Sequence, residues 1–394
     1  MHVAMFIDQH PDTLGGMQTS VRLQRRFLER AGHRVSIVSP RFRGAHAADP
    51  AVIELPSLPL GPGEYSLSVP GRHTDKALRV ALALRGPVDL VHVQADFWQA
   101  VIGYRFAKAS NLPVVHTMHN RLDVGMAATM PFPAMIQRGF SLAQKAWLRT
   151  GAPVAADAWE YLARFADRAD AITAPSSHFA QLLTEKGVFP EVEVVPNGMD
   201  DDIAEALLAA GPLPMNPRPR LVWVGRFSAE KRLLPFLKAV AESNVDAVIQ
   251  VFGDGADRAK AEALCRSMDR PEVVIRGKVP YAQMLDELRR ADALVQTSQG
   301  FETQGMTVFE AAALGTPSLL SDHRIAGDLP LGTYWLTGDD TVQGLASALV
   351  RCVQEISSGV GPLTSDFDPA SFLQSRQTGL MLEVYGRAMD AHRG

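Results

Sequence analysis

The chain has 394 residues, of which 46% are hydrophobic and 21% are charged, as in a folded two-domain protein rather than a disordered one. A formal net charge of −4 argues against a nucleic-acid partner. The 2 cysteines, Cys265 and Cys352, lie in helix-like segments without CxxC spacing, which excludes a disulfide scaffold and a cysteine zinc site and is typical of a reducing cytoplasm.

Short apolar runs alternate with helix-length segments along the first half of the chain. Met1 leads directly into the first run without the features of a signal peptide, and no apolar run is long enough to span a membrane. The predicted strands are 3–7, 35–38, 88–93, 113–116, 171–174 and 192–195, and the predicted helices are 18–31, 74–85, 97–110, 157–168 and 177–186. This α/β alternation predicts a doubly wound parallel sheet.

A glycine pair, Gly15-Gly16, follows the first predicted strand. Paired glycines at this position let the backbone approach a diphosphate closely. Their order differs from the GxGxxG of dinucleotide sites, and an ordinary turn is an open alternative.

Two histidines close the predicted strand at 113–116. His116 and His119 are followed by Asn120 and Arg121, which places polar side chains at the carboxyl edge of the sheet. An ordinary loop histidine is one alternative. Zinc is another, but no third ligand with metal spacing follows, so we expect no metal here.

Residues 131–150 predict an amphipathic helix with a basic polar face. Phe132, Met135 and Trp147 are among its apolar residues, and Arg138 and Lys145 are among its basic residues. Such a helix can lie on an anionic membrane surface. A surface helix that packs its apolar side inward is the alternative, so both interpretations are open.

A proline-rich segment, 211–219, predicts the linker between two domains because prolines exclude both helix and central strand. We expect a first domain over 1–212 and a second over 213–374, with a C-terminal helix over about 375–394 that returns to the first.

A buried strand follows the linker and turns at Gly225 into Arg226 and Lys231. Fixed cations there can neutralise a leaving diphosphate without metal. An ordinary surface pair is the alternative.

Two glutamates flank a predicted helix start in the second half. Glu302 follows the apolar strand 292–296, and Glu310 lies two turns into the helix 306–314. Strand ends that feed helix N-termini are where α/β sheets bind ligands, and the N–H groups there suit phosphate. Hydroxyl groups of a sugar and a ribose would explain two carboxylates beside such an anion site.

These motifs together resemble the retaining glycosyltransferases of family 4, which have the GT-B fold. Glu302, Gly305 and Glu310 match the two-glutamate motif of that family, while Thr303 and Gln304 replace its usual Pro-Phe. The stretch from His116 to Asn120 is similar to the branch that makes glycolipids on diacylglycerol or phosphatidylinositol. The resemblance implies two Rossmann-like domains that face a central cleft.

The resemblance also implies roles for individual residues. The implied catalytic residues are His119, Glu302, Arg226 and Lys231, and the implied acceptor-binding residues are His119, Asn120 and Arg121. The implied donor-binding residues are Gly15, Gly16, Arg226, Lys231, Gly253, Lys278, Val279, Glu302, Gly305, Met306, Thr307 and Glu310. Neither a metal nor a cofactor is expected.

We expect a hexosyltransferase that uses a UDP-sugar or GDP-mannose and a hydroxyl of a membrane glycolipid or cell-envelope glycan precursor. A small soluble acceptor such as an inositol phosphate, a catalytically silent sugar-nucleotide-binding protein and an epimerase on the same architecture are alternatives. A phosphorylase would need a lysine-bound pyridoxal phosphate, and Lys231 has the wrong context. The expected location is the cytoplasm, with or without attachment to the inner face of the plasma membrane. The sequence leaves the oligomeric state open.

Overall fold

A computed structural model describes residues 1–13, 15–61, 63–129, 132–149, 151–211, 213, 216–268, 271–362 and 368–394. The chain forms two compact units. Unit 1 comprises Met1–Asn197 and Gln377–Gly394, and unit 2 comprises Gly198–Arg376. Among the described residues, no helix combines the length and the apolar character needed to cross a bilayer.

Unit 1 contains a seven-stranded sheet and a short antiparallel ribbon. Its strands are β1 (His2–Ile7), β2 (Arg34–Pro40), β3 (Val52–Leu55), β4 (Leu58–Pro59), β5 (Ser66–Leu67), β6 (Leu90–Gln94), β7 (Val114–Thr117), β8 (Ala171–Ala174) and β9 (Glu193–Val194). Its helices are α1 (Gly16–Arg30), α2 (Arg72–Ala83), α3 (Trp98–Ser110), α4 (Leu122–Thr129), α5 (Pro133–Leu148), α6 (Ala158–Ala166) and α7 (Ser177–Glu185). The sheet order is β3-β2-β1-β6-β7-β8-β9, with β4 and β5 forming the ribbon.

Unit 2 contains a six-stranded parallel sheet. Its strands are β10 (Arg220–Val224), β11 (Val248–Phe252), β12 (Glu272–Gly277), β13 (Ala293–Gln296), β14 (Ser318–Leu320) and β15 (Tyr334–Leu336), in the order β12-β11-β10-β13-β14-β15. The helices from residue 198 onward are α8 (Asp201–Ala209), α9 (Leu233–Ser243), α10 (Arg258–Arg266), α11 (Tyr281–Arg289), α12 (Met306–Ala313), α13 (His323–Ala326), α14 (Val342–Ser358) and α15 (Gln374–Arg393). In both sheets the order reverses beside the first strand, which is the doubly wound topology predicted from the sequence.

Strand β1 shows why the apolar runs are continuous rather than alternating. All of its residues are buried, because helices cover both faces of a parallel sheet. Ala4 and Phe6 face one hydrophobic cluster, while Val3, Met5 and Ile7 face another. The second cluster includes Tyr385 and Val384 of α15, so the C-terminal helix is part of the unit 1 core.

The change from unit 1 to unit 2 falls at Asn197 and Gly198, ahead of the proline-rich segment that the sequence suggested as the linker. Met199 and Ala204 pack in the same cluster as Val222 of β10 and Leu285 of α11. Prolines mark where no regular structure can form, whereas packing decides which unit α8 joins. Pro212, Pro214 and Met215 of the predicted linker lie outside the described residues, as do residues 131 and 150 of the predicted amphipathic helix.

Candidate active site

Unit 2 places the predicted donor residues at the carboxyl edge of its sheet. Arg226 follows β10, Gly253 follows β11, Lys278 follows β12 and Glu302 follows β13. These four strands are neighbours and parallel, so their carboxyl ends share one edge. This edge is where doubly wound sheets bind ligands.

The shortest contact between two predicted catalytic residues joins Lys231 and Glu302. Lys231 Nζ donates to Glu302 Oε1 at 2.5 Å, with 18% and 11% of the two side chains exposed. The ammonium group also lies 5.7 Å from the ring centroid of Phe301. A half-buried lysine is thus held by a carboxylate and an aromatic face, in a position to exchange these partners for a ligand phosphate.

The local fold explains why Lys231 reaches this place. Residues Ala229–Lys231 form a single 3₁₀ turn after β10. The carbonyl of Lys231 accepts a hydrogen bond from Thr297 Oγ1 at 2.7 Å, and Thr297 in turn accepts one from Trp223 Nε1 at 2.8 Å. Trp223 is fully buried in β10, so the core itself fixes the lysine backbone. Neither Thr297 nor Trp223 was predicted to belong to the site.

Arg226 lies at the same sheet edge but remains mostly exposed. Its side chain is 68% exposed and donates to Glu230 Oε1 at 2.9 Å. Ser228 Oγ donates to the same oxygen at 2.7 Å. Glu230 therefore holds the guanidinium group through a surface ion pair, which a ligand anion can replace at small cost.

The backbone of Gly225 passes so close to residue 253 that only glycine fits there. The φ of Gly253 is 130°, and a Cβ atom there would lie 1.8 Å from the carbonyl oxygen of Gly225. Gly253 N donates to Gly277 O, and Gly225 N donates to Phe252 O, so the strand ends are tied together. The glycine predicted from the family resemblance thus has a packing reason in this chain.

Glu310 is buried and bonded to a tyrosine. It is 5% exposed, and Tyr281 Oη donates to its Oε1 at 2.7 Å. Burial raises the pKa of Glu310 to about 7, and the tyrosine hydrogen bond opposes that rise. Burial and the nearby carboxylate raise the pKa of Tyr281 well above its ordinary value, so the phenol remains a donor. Tyr281 was not predicted, because 29 residues separate it from Glu310.

Helix α12 begins beside these glutamates. Gly305 precedes its first turn with a φ of 81°, a conformation that favours glycine, and supplies no capping side chain. Met306 and Thr307 form the first turn, whose N–H groups suit an anion. Lys278 is exposed, and Val279 packs partly against the adjacent cluster.

In unit 1, a chain of buried amides orients His119 after β7. His119 Nε2 lies 3.0 Å from Gln94 Oε1, and Gln94 Nε2 donates to Gln24 Oε1 at 2.9 Å. With its amide oxygen facing the ring, Gln94 selects the tautomer of His119 that carries the proton on Nε2. Burial lowers the pKa of His119 to about 4, so the imidazole is neutral at pH 7. No motif in the sequence pointed to Gln24.

Asn120 and Arg121 are both bonded to carboxylates. Asn120 Nδ2 donates to Asp96 Oδ2 at 2.5 Å. Arg121 makes two bonds to Asp123, of 2.9 and 2.8 Å, and lies over the ring of Trp159. The structure therefore gives each of these predicted acceptor residues a partner of its own.

The carboxyl edge of the unit 1 sheet also holds an acidic pair, half-buried Asp8 and buried Asp96, that sequence reasoning missed. Asp8 follows β1 and accepts the backbone N–H groups of Asp96, Phe97 and Gln99 at 2.7 to 3.1 Å, which caps α3. Burial, and then the charge of Asp96, raise the pKa of Asp8 to about 7. Gly15 and Gly16 start α1 at the same edge.

Comparison with known proteins identifies the family. The model for Glycosyltransferase Family 4 matches residues 14–203, and that for Glycosyl transferases group 1 matches residues 218–355. The alpha-monoglucosyldiacylglycerol synthase of Streptococcus pneumoniae is 24% identical over 89% of this chain and 78% of its own. The enzyme of the same name from Acholeplasma laidlawii is 27% identical over 30% of each chain. The predicted likeness to the glycolipid-forming branch is thus confirmed.

Solved structures confirm the fold. The crystal structure of Anabaena Alr3699/HepE in complex with UDP and glucose aligns with a TM-score of 0.68 at 16% identity, covering 98% of this chain and 99% of that one. The two parallel sheets, the two family models and the named relatives agree. The chain belongs to glycosyltransferase family 4, and it is a hexosyltransferase with the GT-B architecture.

Proposed function

We propose that the protein transfers a hexose, with retention of the anomeric configuration, from a UDP-sugar to a hydroxyl of a membrane glycolipid. The observation that carries this proposal is the Lys231–Glu302 contact at the carboxyl edge of the unit 2 sheet. It joins a cation suited to a diphosphate with a carboxylate suited to sugar hydroxyls. The UDP in the Anabaena structure and the diacylglycerol named for the streptococcal relative support the two substrates.

In the proposed reaction, the bond between the anomeric carbon and the diphosphate oxygen breaks, and that oxygen keeps the electron pair. The acceptor oxygen bonds to the same face of the anomeric carbon, and its proton passes to a phosphate oxygen of the donor. Lys231 and Arg226 stabilise the developing negative charge, so no metal is needed. Glu302 binds the sugar, and Glu310 accepts hydrogen bonds from the ribose hydroxyls.

We assign the remaining donor contacts to backbone groups and the acceptor contacts to unit 1. The first turn of α12, from Met306 and Thr307, would bind phosphate oxygens through N–H groups. The Gly15-Gly16 start of α1 in unit 1 offers N–H groups of the same kind. Neutral His119, whose Nε2–H is donated to Gln94, would accept a hydrogen bond from a substrate hydroxyl at Nδ1.

The donor and the metal requirement can be tested in one assay. Purified protein should release UDP from UDP-glucose or UDP-galactose in the presence of diacylglycerol or monoglucosyldiacylglycerol vesicles, and it should do so after dialysis against EDTA. GDP-mannose is the control donor. If GDP is released from GDP-mannose and no UDP is released from either UDP-sugar, the donor nucleotide is GDP rather than UDP. Release without any acceptor, or activity that only magnesium or manganese restores, would contradict the proposed transfer.

Membrane contact is supported by the apolar side chains that α5 exposes. Its inner face carries the buried polar residues Gln137, Ser141 and Gln144, which bond to one another or to backbone carbonyls, together with Leu148 and the rings of Phe140 and Trp147, which pack in the unit 1 core. Its outer face exposes Met135 by 67% and Leu142 by 49%. Arg138 and Arg149 are exposed as well, and Lys145 is half-buried, so apolar and basic groups share the outer face.

We expect the double substitution Met135→Ser/Leu142→Ser to weaken binding to anionic vesicles severalfold, because it removes apolar area that enters the bilayer interface. Sedimentation with vesicles of phosphatidylglycerol and phosphatidylcholine measures this, and pure phosphatidylcholine tests the charge contribution. Leu84→Ser is the matched control, since Leu84 is 85% exposed directly after the last residue of α2. Equal binding by the double variant and the wild type would exclude α5 from the membrane contact.

A further inference from the structure

A second group of metal-ligand side chains lies in unit 1, outside the transfer residues. His10 follows β1, His46 follows β2 and Glu54 is in β3, and their candidate ligand atoms all lie within 4.8 Å of one another. We refer to these three residues as the His10 cluster. They lie beside a cavity of about 400 Å³. Because β1, β2 and β3 are adjacent in the sheet, residues far apart in sequence meet here.

The separations within the His10 cluster fit a tetrahedral ion. Both His10 Nε2 and His46 Nε2 lie 3.5 Å from Glu54 Oε1. Two zinc ligands at roughly 2.1 Å from the ion, separated by a tetrahedral angle, lie about 3.4 Å apart. The two nitrogen-to-oxygen distances of 3.5 Å are long for hydrogen bonds. They are close to the ligand-to-ligand distance in a tetrahedral zinc site.

Neighbouring groups hold the side chains in this arrangement. His46 Nδ1 lies 3.3 Å from Gly44 O, a carbonyl that can accept only from the Nδ1–H tautomer. The lone pair of His46 Nε2 then points toward Glu54, as metal ligation requires. Glu54 Oε1 itself accepts the backbone N–H of Phe42 at 2.8 Å, and the ring of Phe42 stacks on His10 at 5.0 Å.

The lone pair of His46 Nε2 faces Glu54 Oε1 at 3.5 Å, and two such lone pairs repel unless a proton or a cation lies between them. His10 is 4% exposed, and within the described part of the chain its Nε2 has no hydrogen-bond partner. A buried polar atom of this kind costs free energy unless a ligand satisfies it. On the other side of the ring, Nδ1 accepts the backbone N–H of Asp12 at 3.2 Å, so the ring proton of metal-free His10 is on Nε2. Zinc at Nε2 would displace that proton to Nδ1, where the Asp12 carboxylate, 3.8 Å away, would accept it in place of the Asp12 N–H contact.

The charges around the cavity are compatible with a bound cation. Three arginines, Arg22, Arg25 and Arg26, line it together with four carboxylates, and the guanidinium group of Arg25 is paired with Glu29 and with Asp49. Two carboxylates, those of Asp12 and Glu54, face His10 directly. The cation would therefore meet carboxylates at short range, and the lining carboxylates outnumber the lining arginines by four to three.

We propose that the His10 cluster binds one Zn²⁺ ion, with Nε2 of His10, Nε2 of His46 and a carboxylate oxygen of Glu54 as protein ligands and water in the fourth position. Two nitrogen donors and one carboxylate are a donor set that zinc accepts. The ion would join the loop after β1, the loop after β2 and strand β3. It would thus order the loop that leads to Gly15-Gly16, and its role is separate from the transfer chemistry.

Zinc binding is tested on untagged full-length protein dialysed against EDTA and then titrated with zinc chloride against a chromophoric chelator. We expect about one equivalent bound by the wild type and a loss of at least roughly tenfold in affinity for His46→Asn and for Glu54→Gln. A hundredfold excess over Kd should raise Tm of the wild type by roughly 5 °C or more. Glu54→Gln keeps an oxygen for the Phe42 N–H, so its metal-free Tm should match that of the wild type.

His73→Asn is the matched control, because His73 is an exposed histidine on α2. It should bind zinc like the wild type. The proposal is overturned if wild-type protein binds no zinc at micromolar concentrations, if His46→Asn and Glu54→Gln bind as tightly as wild type, or if His73→Asn loses as much affinity as they do. Since the readouts are bound zinc and Tm, failure here leaves the proposed transfer reaction untouched.

Discussion

The substitution Lys231→Ala should lower kcat/KM of hexose transfer by roughly 10²- to 10³-fold, which corresponds to about 3 to 4 kcal/mol. Lys231 is held in place by its Glu302 contact and by the Thr297 bond to its carbonyl. A preorganised charge needs no reorganisation as the leaving diphosphate becomes more negative. Its loss therefore affects the transition state more than the ground state, and we expect most of the effect in kcat.

The same substitution should have a smaller effect on stability. It leaves Glu302, which is 11% exposed, without its lysine, so we expect a decrease of about 1 kcal/mol in the free energy of unfolding. Lys238→Ala, an exposed lysine on α9, is the matched control and should leave both quantities unchanged. Steady-state kinetics and urea unfolding measure the two effects. Near-normal kinetics for Lys231→Ala would remove this residue from the active site.

Replacing the two glutamates one at a time should separate nucleotide binding from sugar transfer. Glu310→Gln replaces a charged acceptor by a neutral one and should weaken UDP binding by about 1 kcal/mol, roughly fivefold in Kd. Tyr281 can still donate to the amide oxygen, so the fold is kept. Glu302→Gln should leave UDP binding within about twofold and lower kcat for the full donor. Calorimetric titration with UDP and with the UDP-sugar distinguishes the two.

The raised pKa of Glu310 adds a pH signature to this prediction. With a pKa of about 7, the carboxyl is mostly protonated at pH 6 and mostly ionised at pH 8. Because ribose hydroxyls donate to the ionised form, UDP affinity of the wild type should rise severalfold between these values. The diphosphate also titrates, near pH 6 as other phosphates do, so the difference between wild type and Glu310→Gln isolates the glutamate.

Two results would contradict the assignment of the glutamates. Equal losses of UDP affinity in both variants, or none in either, would remove the distinction between ribose and sugar contacts. A loss confined to Glu302→Gln would keep the site and reverse its orientation. Identical pH dependence in wild type and Glu310→Gln would show that another group titrates.

The sequence by itself determined the two-sheet α/β architecture, because strand and helix periodicities are local properties of the chain. Strand β8 was predicted with the bounds that the structure has, and α12 began at Met306 as predicted. Strand β3 was missed, because its four residues include a glutamate and alternate between half-buried and buried positions instead of forming a continuous apolar run. Family motifs likewise placed Lys231 and Glu302 in one site before any contact was known.

Only the tertiary structure decided which distant residues share a contact. Tyr281 reaches Glu310 because α11 and α12 pack side by side, and no spacing in the sequence encodes that pairing. The His10 cluster arises in the same way. The sequence showed no metal spacing, because His10, His46 and Glu54 come from three separate segments that meet only when β1, β2 and β3 lie next to one another. Local patterns fix elements, whereas the order of strands in the sheet fixes which side chains become neighbours.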